Sequence, residues 1–219
     1  TKVPAPVALR QTQREITRMG HIAADNLKRA LDCFFNYSMS KAASVRSHEE
    51  SVNILNHLIA DAMVDLRSLD LSPENMRRVS MMTIAVTDIE RLSDHAENIV
   101  EYIEQMNAKK AEMSEAARKE LLDMSQDALD AVYLALDIFE KDDYSKLDQI
   151  EILEQHVDDH EKDLINNHIE RIMNSMCNPL GGVIFSDLVT DLERCSDHAI
   201  NLAYALKERP SELDAPKLV

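Results

Sequence analysis

Apolar residues recur along most of this chain at steps of three and four, the spacing of a helix that buries one stripe. Six stretches carry the pattern. The first, over about 7–36, places Ile16, Met19, Ala23, Leu27, Ala30 and Phe34 on one face. The second, over about 41–69, aligns Val52, Leu55, Ile59, Ala62, Leu66 and Leu69. At Leu71-Ser72-Pro73-Glu74 the chain breaks with helix-start chemistry: Ser as N-cap, Pro at the first helical position, Glu in the first turn. The third helix runs from there to about 110 through Val79, Met82, Val86, Ile89, Ala96, Val100 and Ile103. Ser114 can cap a fourth over 115–140, a turn at Asp142-Asp143 introduces a fifth over 144–176, and Asn178-Pro179-Leu180-Gly181-Gly182 separates a sixth over 183–208. Helices this long, joined by short connections, must pack antiparallel, so the fold class is all-α.

An internal repeat fixes how six helices are grouped. Residues 86–99 and 189–202 are identical at ten of fourteen positions, at an offset of 103. Unrelated segments of ordinary composition would share about one. Each copy lies in the last helix of a set of three, and Glu49-x-x-Val52-Asn53 is echoed by Glu154-x-x-Val157-Asp158 in the middle helices. The architecture expected is a tandem duplication of a three-helix up-and-down bundle. Its parts are a linker or processed segment at 1–6, units at 7–110 and 111–208, and a tail at 209–219.

Composition narrows the function. Three glycines stand where about fifteen are usual, which argues against sheets with many tight turns and against glycine-rich phosphate loops. With 40 acidic and 24 basic residues the chain carries −16, so nucleic acid is not an expected partner. The apolar runs are far shorter than the roughly twenty residues of a membrane span, and this segment is not expected to insert into a membrane. The start has neither an apolar signal core nor an initiator Met, as expected of a processed or excised piece. Cys33, Cys177 and Cys195 are odd in number and lack metal-type spacing, which fits a reducing compartment.

Candidate chemistry lies on the repeated face. Glu90, Arg91, Asp94 and Asn98 share one side of their helix, opposite its apolar stripe, and Glu193, Arg194, Asp197 and Asn201 repeat them, whereas core positions drifted (Leu92 against Cys195). Carboxylates at i and i+4 repel each other on a helix surface. Kept twice, and joined by Glu154/Asp158, they describe a hard-cation site. Ordinary surface pairing through Arg91 is the competing reading. His95 and His198 project to the flank, as residues that bond a neighbouring helix. His156 and His160 form a His-x-x-x-His pair without an acidic partner at metalloprotease spacing, and read as a surface pair. His168 reads as a hydrogen-bonded core histidine and Cys195 as a packed thiol. No histidine has a Glu three residues before it, so the di-iron carboxylate pattern is missing, and no nucleophile motif is present. Catalysis is not expected.

The twice-repeated Asp-hydrophobic-Glu-Arg-x-x-Asp-x-x-x-Asn, closing each three-helix unit, resembles the PhoU family of phosphate-transport regulators over about 7–208. The chain is most similar there to the C-terminal PhoU domain of bacterial sodium/phosphate cotransporters. That likeness rests on Pro6-Val7-Ala8-Leu9 ahead of Arg14-Glu15-Ile16-x-Arg18-Met19, on Leu71-Ser72-Pro73-Glu74, and on Gly182-Val183-Ile184-Phe185-x-Asp187-Leu188 leading to Asp197-His198-Ala199-x-Asn201. The resemblance implies a cytoplasmic, non-catalytic adaptor of phosphate uptake, tethered to the inner membrane where a transporter domain precedes it. Its partner would be a membrane phosphate transporter domain, in the same chain or separate, or a signalling protein; a homodimer is a further candidate. It implies metal at Glu90/Asp94 facing Glu49, and at Glu193/Asp197 facing Glu154/Asp158, with iron, manganese, zinc or magnesium as candidate ions. Two positions depart from the family pattern: Ser93 and Ser196 replace the usual Gly, and Asn53 stands opposite Asp158, so the first site should bind less tightly or take a different ion. The alternatives are a stand-alone PhoU-type negative regulator and a metal storage or redox bundle.

Overall fold

The computed structural model describes residues 3–207; residues 1–2, Glu208 and the tail expected at 209–219 lie outside the described residues. Six α-helices follow in order: α1 (Ala5–Phe35), α2 (Met39–Arg67), α3 (Pro73–Lys109), α4 (Glu115–Lys141), α5 (Leu147–Met173) and α6 (Pro179–Tyr204). A single 3-10 turn, Tyr144–Lys146, leads into α5. Helices α1, α2 and α3 pack on one another as one bundle and α4, α5 and α6 as a second; the bundles join along α1 against α4 and α3 against α6. The all-α duplication of a three-helix unit is therefore the fold.

Side chains at the helix ends explain where the elements begin. Ser38, Ser72 and Ser114 each accept a backbone N–H from three residues on, and Asn178 accepts from Leu180 and Gly181. Each such cap satisfies one otherwise orphaned donor and contributes about 1 kcal/mol. At the C-termini of α3 and α4 the left-handed residue usually supplied by glycine is Lys110 or Asp142, each at φ 51°. In a chain this poor in glycine, these positions cost about 1 kcal/mol each.

Two boundaries differ from the expectation. The N-terminal helix already starts at Ala5, with Pro6 in its first turn, so part of the segment read as a linker is helical. The sixth helix starts at Pro179, and Gly181-Gly182 lie inside it rather than ending a loop. Their role is close approach: a Cβ on Gly181 would sit 2.8 Å from the Glu112 carbonyl oxygen, and one on Gly182 would meet the His168 ring at 3.0 Å.

The stripes read from periodicity form one continuous core that runs through both bundles. Helices α1 and α4 sit centrally and are buried along most of their length. The middle helices α2 and α5 bury only a narrow stripe, which leaves their polar sides to face α3 and α6 at the bundle edges.

Candidate functional site

The third and sixth helices cross antiparallel, and their contact is polar. His95 Nδ1–H donates to Asp191 Oδ1 at 2.6 Å, and His198 Nδ1–H donates to Asp88 Oδ1 at 2.9 Å. These are the same two positions of the repeat, exchanged, so the bonds obey a local two-fold axis between the units. The imidazole rings lie side by side with centroids 5.8 Å apart. Asp191 also accepts from the Tyr102 hydroxyl at 2.5 Å, a bond with no repeat mate because Ala205 occupies the matching position. The expectation that the two histidines bond a neighbouring helix holds. Their aspartate partners were not singled out, although Asp88 and His95 lie two helical turns apart on one face and recur intact.

The carboxylates expected to bind metal gather beside this crossing. In the second unit, Asp158 and Glu161 of α5 and Glu193 of α6 each bring a carboxylate oxygen within 4.8 Å of the others. Glu193 is pushed up to about 7, first by burial, then by a hydrogen bond shared with Asp197 and by the charges of Asp197, Glu161 and Asp158. Glu154 is raised by burial and then by Asp158, Asp197 and Glu151. In the first unit Glu49 is also pushed up to about 7, by burial, by a hydrogen bond shared with Glu97, and by the charges of Glu97, Asp94 and Glu50. No Lys or Arg side chain is among the groups that shift Glu49, Glu154 or Glu193, so like charge raises them without a cationic side chain to offset it.

The residues named from sequence are thus brought together in the second unit: Glu154, Asp158, Glu193 and Asp197 converge. In the first unit Glu49 meets Asp94, while Glu97, rather than Glu90, supplies the carboxylate bonded to it. Glu161 and Glu97 were missed. A signal existed for Glu161, which continues the Glu154/Asp158 face by one more turn. The remaining candidates separate: His156 is exposed, while His160 bonds Asp127 at 3.0 Å. His168 is buried on the Phe185 ring, with the Cys177 sulfur 3.9 Å away. Cys195 is fully buried and its thiol is pushed well up by that burial.

As a set, the donors are oxygen only. Three carboxylate oxygens within 4.8 Å match the spread of ligands around one hard cation, whose bonds are about 2.0–2.6 Å long. A cation there would relieve the mutual repulsion of carboxylates that pushes Glu193 up.

Comparison with known proteins agrees with the duplicated architecture. The family model described as PhoU domain matches twice, at residues 16–103 and 121–206. No curated protein matches the chain significantly. Among solved structures, PhoU from Pseudomonas aeruginosa is similar with a TM-score of 0.83 at 19% identity, covering 93% of this chain and 97% of that one. The phosphate transport system regulatory protein PhoU from Streptococcus pneumoniae is similar at 0.81 and 19%, covering 93% and 95%. A PhoU-like protein from Shewanella oneidensis MR-1 is similar at 0.63 and 13%, covering 89% and 96%. At such identities the structural likeness speaks for the fold, and the family rests on the two sequence matches.

Proposed function

The chain belongs to the PhoU domain family, and from that premise we propose that it is a non-catalytic regulator of phosphate transport whose α2–α3 and α5–α6 faces are set by bound metal. The observation that carries the reading is the pair of uncompensated carboxylate groups at matching places in the two units, with Glu49 and Glu193 both pushed up to about 7. Like charges crowded at half-buried positions are stabilised when a proton or a cation neutralises them.

The residues that would hold a cation are Asp158, Glu161 and Glu193, with Glu154 and Asp197 beside them, and in the first unit Glu49, Asp94 and Glu97. Glu90 sits half-buried on α3 and serves at most as an outer ligand. A bound divalent or trivalent ion would supply fixed positive charge. It would tie α5 to α6, and α2 to α3, at the surface where a partner could read the altered shape and charge. Iron, manganese, zinc and magnesium are the candidate ions; oxygen-only donors favour magnesium or manganese over zinc.

The partner in this reading is a membrane phosphate transporter domain on the cytoplasmic side. The cotransporter-like motifs support a tethered arrangement; the match over 97% of a solved PhoU supports a stand-alone regulator equally. Among the described residues no helix is long and apolar enough to cross a membrane.

The test is metal analysis of protein purified without chelator, repeated for Glu193→Gln/Asp158→Asn, with phosphate uptake measured in cells carrying each form. Metal present in the parent, lost in the variant, together with altered uptake supports the reading. Unchanged uptake despite complete loss of metal refutes metal-set regulation and favours metal storage instead.

A further inference from the structure

The metal reading accounts for the carboxylates of the repeated face but leaves its arginines without a task. Arg91 and Arg194 are repeat mates, and each lies midway between the two residues that clasp the other unit: Arg91 between Asp88 and His95, Arg194 between Asp191 and His198. They therefore flank the local two-fold axis. Both line one cleft of about 400 Å³ at the α3–α6 crossing, together with His95, His198 and Asn98.

Neither guanidinium makes an ion pair or a hydrogen bond among the described residues. Arg10, Arg14 and Arg77 are likewise without such a bond among the described residues; Arg91 and Arg194 differ from them in lining one cleft together. By contrast Arg46, Arg78 and Arg171 each hold a carboxylate within 4.0 Å. The cleft wall also carries the carboxylates of Asp94, Glu97 and Asp191, but none of them bonds either arginine: Asp191 accepts from His95 and Tyr102, and Glu97 shares a hydrogen bond with Glu49. Two arginines that line one cleft from repeat-related positions can be served together by a single anion placed between them.

We propose that this cleft is a phosphoryl-oxyanion site, with Arg91 and Arg194 each donating two N–H bonds to one tetrahedral group on the axis. A tetrahedral dianion presents oxygens in several directions and carries two charges, so it can meet both planar forks and neutralise both at once, whereas a carboxylate carries a single charge. The volume falls within the range of small-molecule sites, about 300–1,000 Å³, and leaves room for more than one phosphoryl group. Asp94 and Glu97 on one wall disfavour a bare polyanion at that edge but suit one that carries a divalent cation. The ligand class is thus inorganic phosphate or a polyphosphoryl compound with its cation. None of the second unit's candidate metal ligands lines the cleft, so the site goes beyond the metal reading and is separable from it.

Equilibrium dialysis at low salt would test it, with orthophosphate and pyrophosphate each offered with and without Mg²⁺. Saturable binding of either anion is expected. Arg91→Gln and Arg194→Gln should each weaken it about tenfold, as expected for loss of a charge-assisted bond, and the double variant should abolish it. Orthophosphate binding without Mg²⁺ identifies free phosphate as the source; binding of pyrophosphate alone, enhanced by Mg²⁺, identifies a polyphosphoryl compound. Both arginines are exposed, so helicity by circular dichroism should be unchanged in the variants. Glu154→Gln/Asp158→Asn serves as the control: it should reduce metal content but leave the anion bound. No binding by the parent chain, or binding unaffected in the double arginine variant, overturns the proposal whatever the metal content proves to be.

Discussion

The clasp between α3 and α6 is symmetric in sequence but not in energy, and its two aspartates should respond differently to truncation. Asp191 is 5% exposed and accepts from His95 at 2.6 Å and from Tyr102 at 2.5 Å. Asp191→Ala leaves an imidazole N–H and a phenol O–H unpaired in the interface. At about 1–3 kcal/mol for each stranded donor, the expected loss is about 3–4 kcal/mol. Asp88 accepts from one partner only, at 2.9 Å, and the side chain of that partner, His198, is 21% exposed. Water can replace the lost acceptor there, so Asp88→Ala should cost about 1 kcal/mol. The chain has no tryptophan, so urea unfolding is best followed by far-ultraviolet circular dichroism. For a chain of this size the same losses correspond to about 6–16 °C and 2–4 °C in Tm. Pairing each change with its histidine (His95→Ala, His198→Ala) isolates the coupling, which should be larger across His95–Asp191. Equal losses for the two aspartates would refute the asymmetry, and two losses below about 0.5 kcal/mol would show that the clasp does not stabilise the joint between units.

Three further outcomes can be checked. Glu49 and Glu193 are pushed up to about 7, above their unfolded values near 4.5. The metal-free folded state therefore holds protons that the unfolded chain has lost. Stability should be greatest below about pH 4.5 as far as these two groups are concerned and fall as pH rises through about 7, by on the order of 1 kcal/mol once solvent screening is allowed for; a urea midpoint that rises from pH 5 to pH 8 in chelator would contradict this. Metal binding should show the opposite trend, strengthening as pH rises through the same range, because the ion displaces those protons. The hydroxyls of Ser93 and Ser196 are buried without a hydrogen-bond partner, so Ser93→Ala and Ser196→Ala should each be neutral or stabilise by up to about 1 kcal/mol; a clear loss in thermal melts would point to a partner for these hydroxyls. Glu161→Gln should lower metal content in the second unit as much as Asp158→Asn does, since both offer oxygens to the same cluster, and full metal retention would remove Glu161 from the ligand set.

Much of this fold was legible because a helix that buries one stripe writes its period directly into the sequence. Ser72 and Ser114 marked the starts of α3 and α4, whereas the caps Ser38 and Asn178 of α2 and α6 went unread. Gly181 and Gly182 were misread for a physical reason: glycine marks both places where a helix stops and places where backbones approach closely, and composition does not distinguish them. Here the second use applies, against Glu112 and His168. The polar face of α3 posed a harder problem. Periodicity shows which residues avoid the core of their own three-helix unit, but not which of them a second unit will cover. Asp88 and His95 are polar, repeated and buried, because their burial is created by the other copy.

The same logic explains why identity between copies located the site yet undercounted its ligands. Searching for shared residues selects what both units need and discards what only one has. Glu161 has Asn56 as its mate, and Glu97 has Ile200, so neither survives that filter although each stands among the carboxylates of its unit. The differences are not noise around one ancestral site. In the second unit Glu154, Asp158, Glu161, Glu193 and Asp197 act on one another, whereas the first offers Glu49, Asp94 and Glu97, with the neutral Asn53 opposite Asp158. Fewer charges around a hard cation mean weaker binding, so on filling, the second face should load before the first. Only the first face shares residues, Asp94 and Glu97, with the arginine-lined cleft. The weaker cation site and the proposed anion site are therefore neighbours, and occupancy of one should strengthen the other by plain Coulomb attraction. None of the tighter face's carboxylates lines that cleft, which leaves that face free to play a structural part. Duplication followed by divergence would in this way separate a metal that holds the fold's surface from one that responds to a phosphoryl ligand.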